Sequence, residues 1–395
     1  MPEFLDIDGS VMEGGGQVIR LSISLSALLS IPVRVSKIRA GREKPGLRAQ
    51  HMTGIKLVGE MCQAQLKDVF VGSTQIEFTP GKIRGGHYKA DIKTAGTISL
   101  LMQVALPCAL MADAPVTLDL RGGTNIENAP HVDYMDMIFR PLLQKFGADF
   151  TLQIHKRGYF PKGGGHVTMT ITPIKRLNSI TLLDPGTVST VKGISFVAGV
   201  LPLKLANVTC EGFKEKLQNE CKELNIRCYK EDTEISPYSC CGMVVSCSLS
   251  GGDNGSGGYI VGGNVLVPRG VKAGQEEARK AGQQLGDQLA ATLRARSCLD
   301  HHAQDQVILY MALADGKSAV RTEKLTLHTK TAIHIVESIT KIKFNVHSND
   351  DHDIIECEGL GYTNENIKGL KRSNSSLGES NDDIEDTKRI KTIPS

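Results

Sequence analysis

The 395-residue chain has no tryptophan, and aromatic residues make up only 5% of it. So few ring faces argue against a base-stacking platform for single-stranded nucleic acid. They favour recognition of phosphate ends or of a small ligand. Charge of neither sign is in excess: 46 Lys+Arg stand against 43 Asp+Glu. Any nucleic-acid contact must therefore be local. The ten cysteines form no CxxC pair, and the six between Cys210 and Cys247 lack zinc-ligand spacing. Several lie in apolar runs, where a thiol behaves as a small hydrophobe. No apolar run reaches the roughly 18–20 residues of a membrane span. The first residues, MPEFLDIDGS, have no signal-peptide core. These absences predict an intracellular, reduced, soluble protein with no membrane partner. No GK[ST] follows the glycine-rich turns, so a Walker phosphate loop is excluded.

What is present begins with Ile38–His51, IRAGREKPGLRAQH, which places Arg39, Arg42, Lys44 and Arg48 within ten residues. Pro45 suits the first position of a helix. Leu47, Met52, Ile55, Val58 and Cys62 then recur as on one helix face. A basic loop at a helix N-terminus favours phosphate, through guanidinium forks, free N–H groups and the helix dipole. A merely solvated basic loop is the plain alternative. Upstream, Glu13-Gly14-Gly15-Gly16-Gln17 leads into a helical pattern carrying Arg20. Its glycines let a ligand or another chain approach the backbone closely. His328 lies at a strand-to-helix turn, LTLHTKTAIHI, where Thr329 or Thr331 offers a cap. A dipole N-terminus disfavours imidazolium, and a neutral imidazole can attack phosphorus. A capping or buried histidine is the bland reading. Lys162, among the glycines of RGYFPKGGGHV, is a further candidate for phosphate contact.

Glycine-bearing turn, helix, strand, loop with proline, helix and strand pair occur twice, with strands expected near Val69–Val71 and Gln75–Phe78. A period of roughly 85–90 residues marks an internal repeat, each unit setting two helices on one face of a sheet. Residues 1–185 are expected to hold two such units, and 186–280 a smaller inserted domain. Residues 281–368 would hold a third unit, and 369–395 a disordered polar tail ending in a weak basic run, KRIK.

EGGGQ (13–17), IRAGREKPGLRAQH (38–51), GGTN (122–125), RGYFPKGGG (157–165), AQDQ (303–306) and LTLHTKTAIH (325–334) together resemble the RNA 3′-terminal phosphate cyclases over roughly residues 5–367. The resemblance implies an α/β fold: three repeated units, each of two helices on a four-stranded sheet, with a smaller α/β domain inserted before the third. It implies ATP and a divalent metal, Mg or Mn, as cofactors, and RNA with a 3′-phosphate end as partner. His328 would become adenylylated. Metal and phosphate positions match Glu13, Arg20, Arg39, Arg42 and Gln50. ATP contacts match Gln103, Pro130, Asp305 and Gln306. Where relatives of this type carry a tyrosine, this chain has His302, whose ring can also lie beside an adenine. A nuclear protein, monomer or homodimer, is expected. The alternative is a non-catalytic cyclase-like factor in ribosomal RNA processing. A fold-related enolpyruvyl transferase would not account for these motifs together.

Overall fold

A computed structural model describes residues 3–221, 223–236, 238–251, 258–268 and 274–367. The expected tail and its KRIK run lie outside the described residues.

The first unit runs β1 (Leu5–Asp8), α1 (Gly16–Leu29), β2 (Val33–Ser36), α2 (Ala49–Met61), β3 (Gln65–Lys67) and β4 (Ile76–Thr79). β1 and β2 are parallel, with Leu5 opposite Val33, and the sheet order is β1-β2-β4-β3. Alternate residues of β2 and β4 are buried, as expected of a sheet with one wet face. Two local expectations are corrected. The chain turns at Asp68, φ +59°, so β3 precedes Val69–Val71. And α2 starts at Ala49, not Pro45: Arg48 is its N-cap, and the Arg48 N–H donates to His51 Nδ1 at 3.1 Å.

The second unit repeats the order with β5 (Gly86–Asp91), α3 (Ile98–Leu110), β6 (Val116–Gly122), α4 (Val132–Tyr134), a π turn at Met135–Phe139, α5 (Arg140–Lys145), β7 (Phe150–Lys156) and β8 (Gly165–Ile171). Its sheet runs β5-β6-β8-β7. The π turn falls just before Pro141, which has no N–H to give and would clash in a regular helix.

β9 (Thr181–Leu182) comes next, followed by β10 (Val188–Ala198), α6 (Lys204–Leu217), β11 (Leu224–Lys230), β12 (Cys240–Leu249), β13 (Tyr259–Leu266) and α7 (Gln275–Arg294). These strands form a sheet of a different order, β11-β10-β12-β13. The chain closes with α8 (Ala303–Leu313), β14 (Lys317–Thr322), α9 (Leu327–Thr340), β15 (Phe344–Ser348) and β16 (Asp353–Glu358). Its sheet, β15-β16-β14-β9, has the same arrangement as the first two. Its first strand, β9, therefore precedes the differing sheet. Position 280–281 falls inside α7, which packs on α6. A Cβ at Gly282 would run into the Thr209 carbonyl there.

Helix α1 lies against α2, α3 and α9. Buried Ser22, Ser24 and Ser26 line it, and Ser24 Oγ donates to the Val104 carbonyl of α3 at 2.8 Å. Small side chains let these helices approach, and this brings the ends of the repeated units together at one place.

Candidate active site

Three helix N-termini meet there. Gln17, in the first turn of α1, donates from Nε2 to Asp305 Oδ2 of α8 at 2.5 Å. His328, in the first turn of α9, holds Nδ1 3.6 Å from Glu13 Oε2. The Glu13 N–H donates to Thr331 Oγ1 at 3.4 Å. No side chain caps α1, whose cap position is Gly15. The free N–H groups of such termini and their dipoles favour an anion.

The turn carrying His328 is held by a residue that motif reading passed over. Buried Gln304 accepts at Oε1 from the Thr326 N–H (2.9 Å) and from Thr329 Oγ1 (2.5 Å), and donates from Nε2 to Thr322 Oγ1 (2.6 Å). The helix cap is Thr326, which accepts from the Thr329 N–H at 3.1 Å. It is not Thr329 or Thr331. The turn beneath His328 is thus held by hydrogen bonds, while the imidazole side chain itself is 57% exposed.

Glu13 is shared. Arg42 donates to its Oε1 and, at 3.2 Å, to its backbone carbonyl. Arg39 is turned the other way. It sits at φ +54° and donates to the Lys44 and Gly46 carbonyls at 2.7 and 3.1 Å, so it ties its own loop together. Burial lowers the pKa of its guanidinium, with Arg48 and Arg42 adding to the effect. Gln50 accepts from the Thr97 N–H at 3.2 Å. It lines a small pocket with Arg20 and His51. His51 is buried against the start of α1, where a Cβ at Gly16 would strike its Nε2. Burial, then Arg20, Arg39 and Arg48, push its pKa down to about 3, so it is uncharged among the arginines.

Arg20 faces a second cleft with Gln17, Gln103, Asp305 and Gln306. Among the described residues no hydrogen bond or ion pair reaches its guanidinium. Burial lowers its pKa, opposed by the charges of Asp305 and Glu13. Burial raises the Asp305 carboxyl to about 6, against the pull of His328 and Arg20. Pro130 accepts at its carbonyl from Ser99 Oγ at 2.6 Å. The His302 ring meets Tyr134 edge-on, centroids 5.3 Å apart, and lies 4.0 Å from the His301 ring. Burial, then His301, His131 and His328, hold His302 well below its usual range. Four buried polar atoms at this site have no hydrogen-bond partner among the described residues: Glu13 Oε2, Gln17 Oε1, Gln306 Oε1 and His131 Nδ1. Buried polar atoms are normally paired, so four together mark the place of a ligand.

The other motif residues build the body. Arg157, from RGYFPKGGG, donates to both carboxylate oxygens of Asp133 at 2.6 and 2.8 Å and lies 2.8 Å from Glu231. Asn125, from GGTN, donates to Asp133 at 3.0 Å. Lys162, a candidate for phosphate, instead lies over the Tyr238 ring at 5.3 Å. The Glu231 and Tyr238 contacts are with the segment after β9. All ten cysteines are free, and no described helix is long and apolar enough to cross a membrane.

The family model for RNA 3′-terminal phosphate cyclase matches residues 11–346. Three relatives match over most of their length. The "RNA 3′-terminal phosphate cyclase" of Pyrobaculum aerophilum is 36% identical over 356 residues, covering 90% of this chain and 98% of its own. That of Drosophila melanogaster is 35% identical over 368 residues, covering 92% and 99%. The "Probable RNA 3′-terminal phosphate cyclase" of Dictyostelium discoideum is 34% identical over 380 residues, covering 91% and 84%. The chain belongs to the RNA 3′-terminal phosphate cyclase family.

Proposed function

We propose that this chain converts an RNA 3′-terminal phosphate into a 2′,3′-cyclic phosphodiester at the expense of ATP, through an adenylylated His328 and an RNA-ppA intermediate. The observation that carries this reading is the exposed imidazole of His328, set among three helix N-termini and sharing Glu13 and Asp305 with an arginine that has no bonded counter-charge. In the first step His328 attacks the α-phosphorus and diphosphate leaves. An oxygen of the RNA 3′-phosphate then takes the adenylyl group from the histidine. Finally the vicinal 2′-OH attacks the terminal phosphorus and AMP leaves, which makes the enzyme a ligase-type nucleotidyl transferase. Covalent catalysis divides one hard activation into easier transfers, and the last step needs little beyond a neighbouring hydroxyl held in line.

Charge builds on phosphoryl oxygens in each step, and fixed cations stabilise it. Arg20 is free to do so, and Arg42 does so by leaving Glu13. Gln103, Asp305 and Gln306 line the cleft for the nucleotide, with Pro130 and His302 at its base end. Glu13 would hold the divalent metal, Mg or Mn, which supplies further neutralisation on the phosphates. Its buried, unbonded Oε2 fits that role. A single carboxylate suits Mg²⁺, which keeps waters and phosphate oxygens as its other ligands. A nuclear location is proposed as well, on the KRIK run. A tagged chain excluded from nuclei overturns that.

The test is incubation with α-labelled ATP and metal. Wild-type protein should carry acid-labile AMP, and His328→Asn should carry none. A wild-type protein that never takes up label and never cyclises a 3′-phosphorylated oligonucleotide defeats the proposal.

A further inference from the structure

Strand β13 is an edge strand of the differing sheet, so part of its backbone has no ladder partner. Two positions on it bond the segments that carry Pro130 and His302, the residues given to the base in the reading above. Asn264 Oδ1 accepts from the His131 N–H at 3.0 Å, and its Nδ2 donates to the Ala129 carbonyl at 3.3 Å. It thus brackets Pro130, whose own carbonyl is held from α3 by Ser99. Two residues earlier, the Gly262 N–H donates to Asp300 Oδ2 at 3.0 Å. The other oxygen of Asp300 accepts from the Tyr134 hydroxyl at 2.6 Å and from the N–H groups of His302 and Ala303, both at 3.0 Å. One strand therefore fixes the Ala129–His131 segment and, through Asp300, the start of α8 with His302. Tyr134, edge-on to His302, links the two.

We propose that edge strand β13 sets the width of the cleft that takes the adenine ring, with Asn264 as a positioning residue for ATP. The proposal rests on the ATP reading given above. Neither Asn264 nor Asp300 touches the reacting atoms. They act by holding Pro130 and His302 at a fixed separation, and a planar base tolerates little change in the gap between its two walls. The sheet that carries β13 thereby has a part in nucleotide selection, although its strands hold none of the residues that meet phosphate.

The test is Asn264→Ala, read by ATP and by tripolyphosphate, which has the phosphates without the base. Losing both side-chain bonds should raise the KM and Kd for ATP roughly tenfold. Turnover at saturation should stay within about twofold of wild type, and tripolyphosphate binding should be unchanged. Asn264→Asp keeps the acceptor for His131 but has no donor for Ala129, and should lose roughly threefold. It also serves as the reading variant if Asn264→Ala does not fold. Equal losses for ATP and tripolyphosphate would make Asn264 a general structural residue and overturn the proposal. A wild type that binds ATP no better than either variant overturns the clamp alone. A wild type that does not bind ATP overturns the nucleotide reading, and the clamp falls with it.

Discussion

Arg157 and Arg20 are both largely withdrawn from water, and they are opposites. Arg157 spends its guanidinium on Asp133 and Glu231 at 2.6–2.8 Å, joining two sheets. Arg20 sits in the field of Asp305 and Glu13 and is bonded to neither. Arg157 lies in a string of glycine and charge, and Arg20 follows another one. The difference lies in completion. A buried charge whose donors are all used is architecture, and one whose donors are left open is waiting for an anion.

The sharpest way to break this comparison is Arg157→Met. It strands two buried carboxylates and should cost about 3–5 kcal/mol, read as a large drop in the urea midpoint. Replacing Asp133 and Glu231 by apolar residues as well should recover part of that loss. A lone Arg157→Met as stable as wild type would refute its structural role. Arg20→Met should do the reverse. Stability stays within about 1 kcal/mol of wild type, because no bonded partner is abandoned. Cyclisation of a 3′-phosphorylated oligonucleotide should fall at least about 100-fold. A strongly destabilised Arg20→Met would place both arginines in one class.

A smaller effect concerns the neutral His51. Its folded pKa, about 3, lies below the ordinary 6.5. Between those values the unfolded chain binds a proton that the folded chain refuses. Its contribution is thus fully present above pH 6.5 and is lost as the pH falls. The contribution of Asp305 runs the other way. Its folded pKa of about 6 exceeds the ordinary 3.8, so its protonated form favours folding at low pH and this is lost as pH rises through that window. Urea midpoints from pH 7 to 4 should therefore show His51→Asn losing less stability on acidification than wild type. The difference should be about 1.4 kcal/mol per pH unit at most, one proton's worth. Parallel curves would remove His51 from the account.

Much of this was legible beforehand. The repeated order of helices and strands follows from apolar period and glycine punctuation, and each of the three like sheets carries it. The structure brings Arg20, Gln103, Asp305 and Gln306 to one cleft and Glu13 beside His328. The short strand β9 was not legible, since two residues, Thr181 and Leu182, carry no period. Nor was the start of α2, where the His51 side chain closes the turn and Pro45 does not. Asp300 and Asn264 have no signal of their own in a single sequence, and Gln304, though inside AQDQ, shows no sign of its role there. An amide or a carboxylate is informative only through what it bonds.

Residue type and spacing were enough to single out the basic loop and His328 as candidates, because guanidinium and imidazole bring their chemistry wherever they stand. They could not sort these residues into open and occupied. Arg39 closing its own loop, Arg42 on Glu13, Lys162 over a tyrosine ring and Arg20 left unbonded are outcomes of packing between elements far apart in the chain. A hydrogen bond depends on distances of about 3 Å between atoms, and spacing along the backbone does not carry that information.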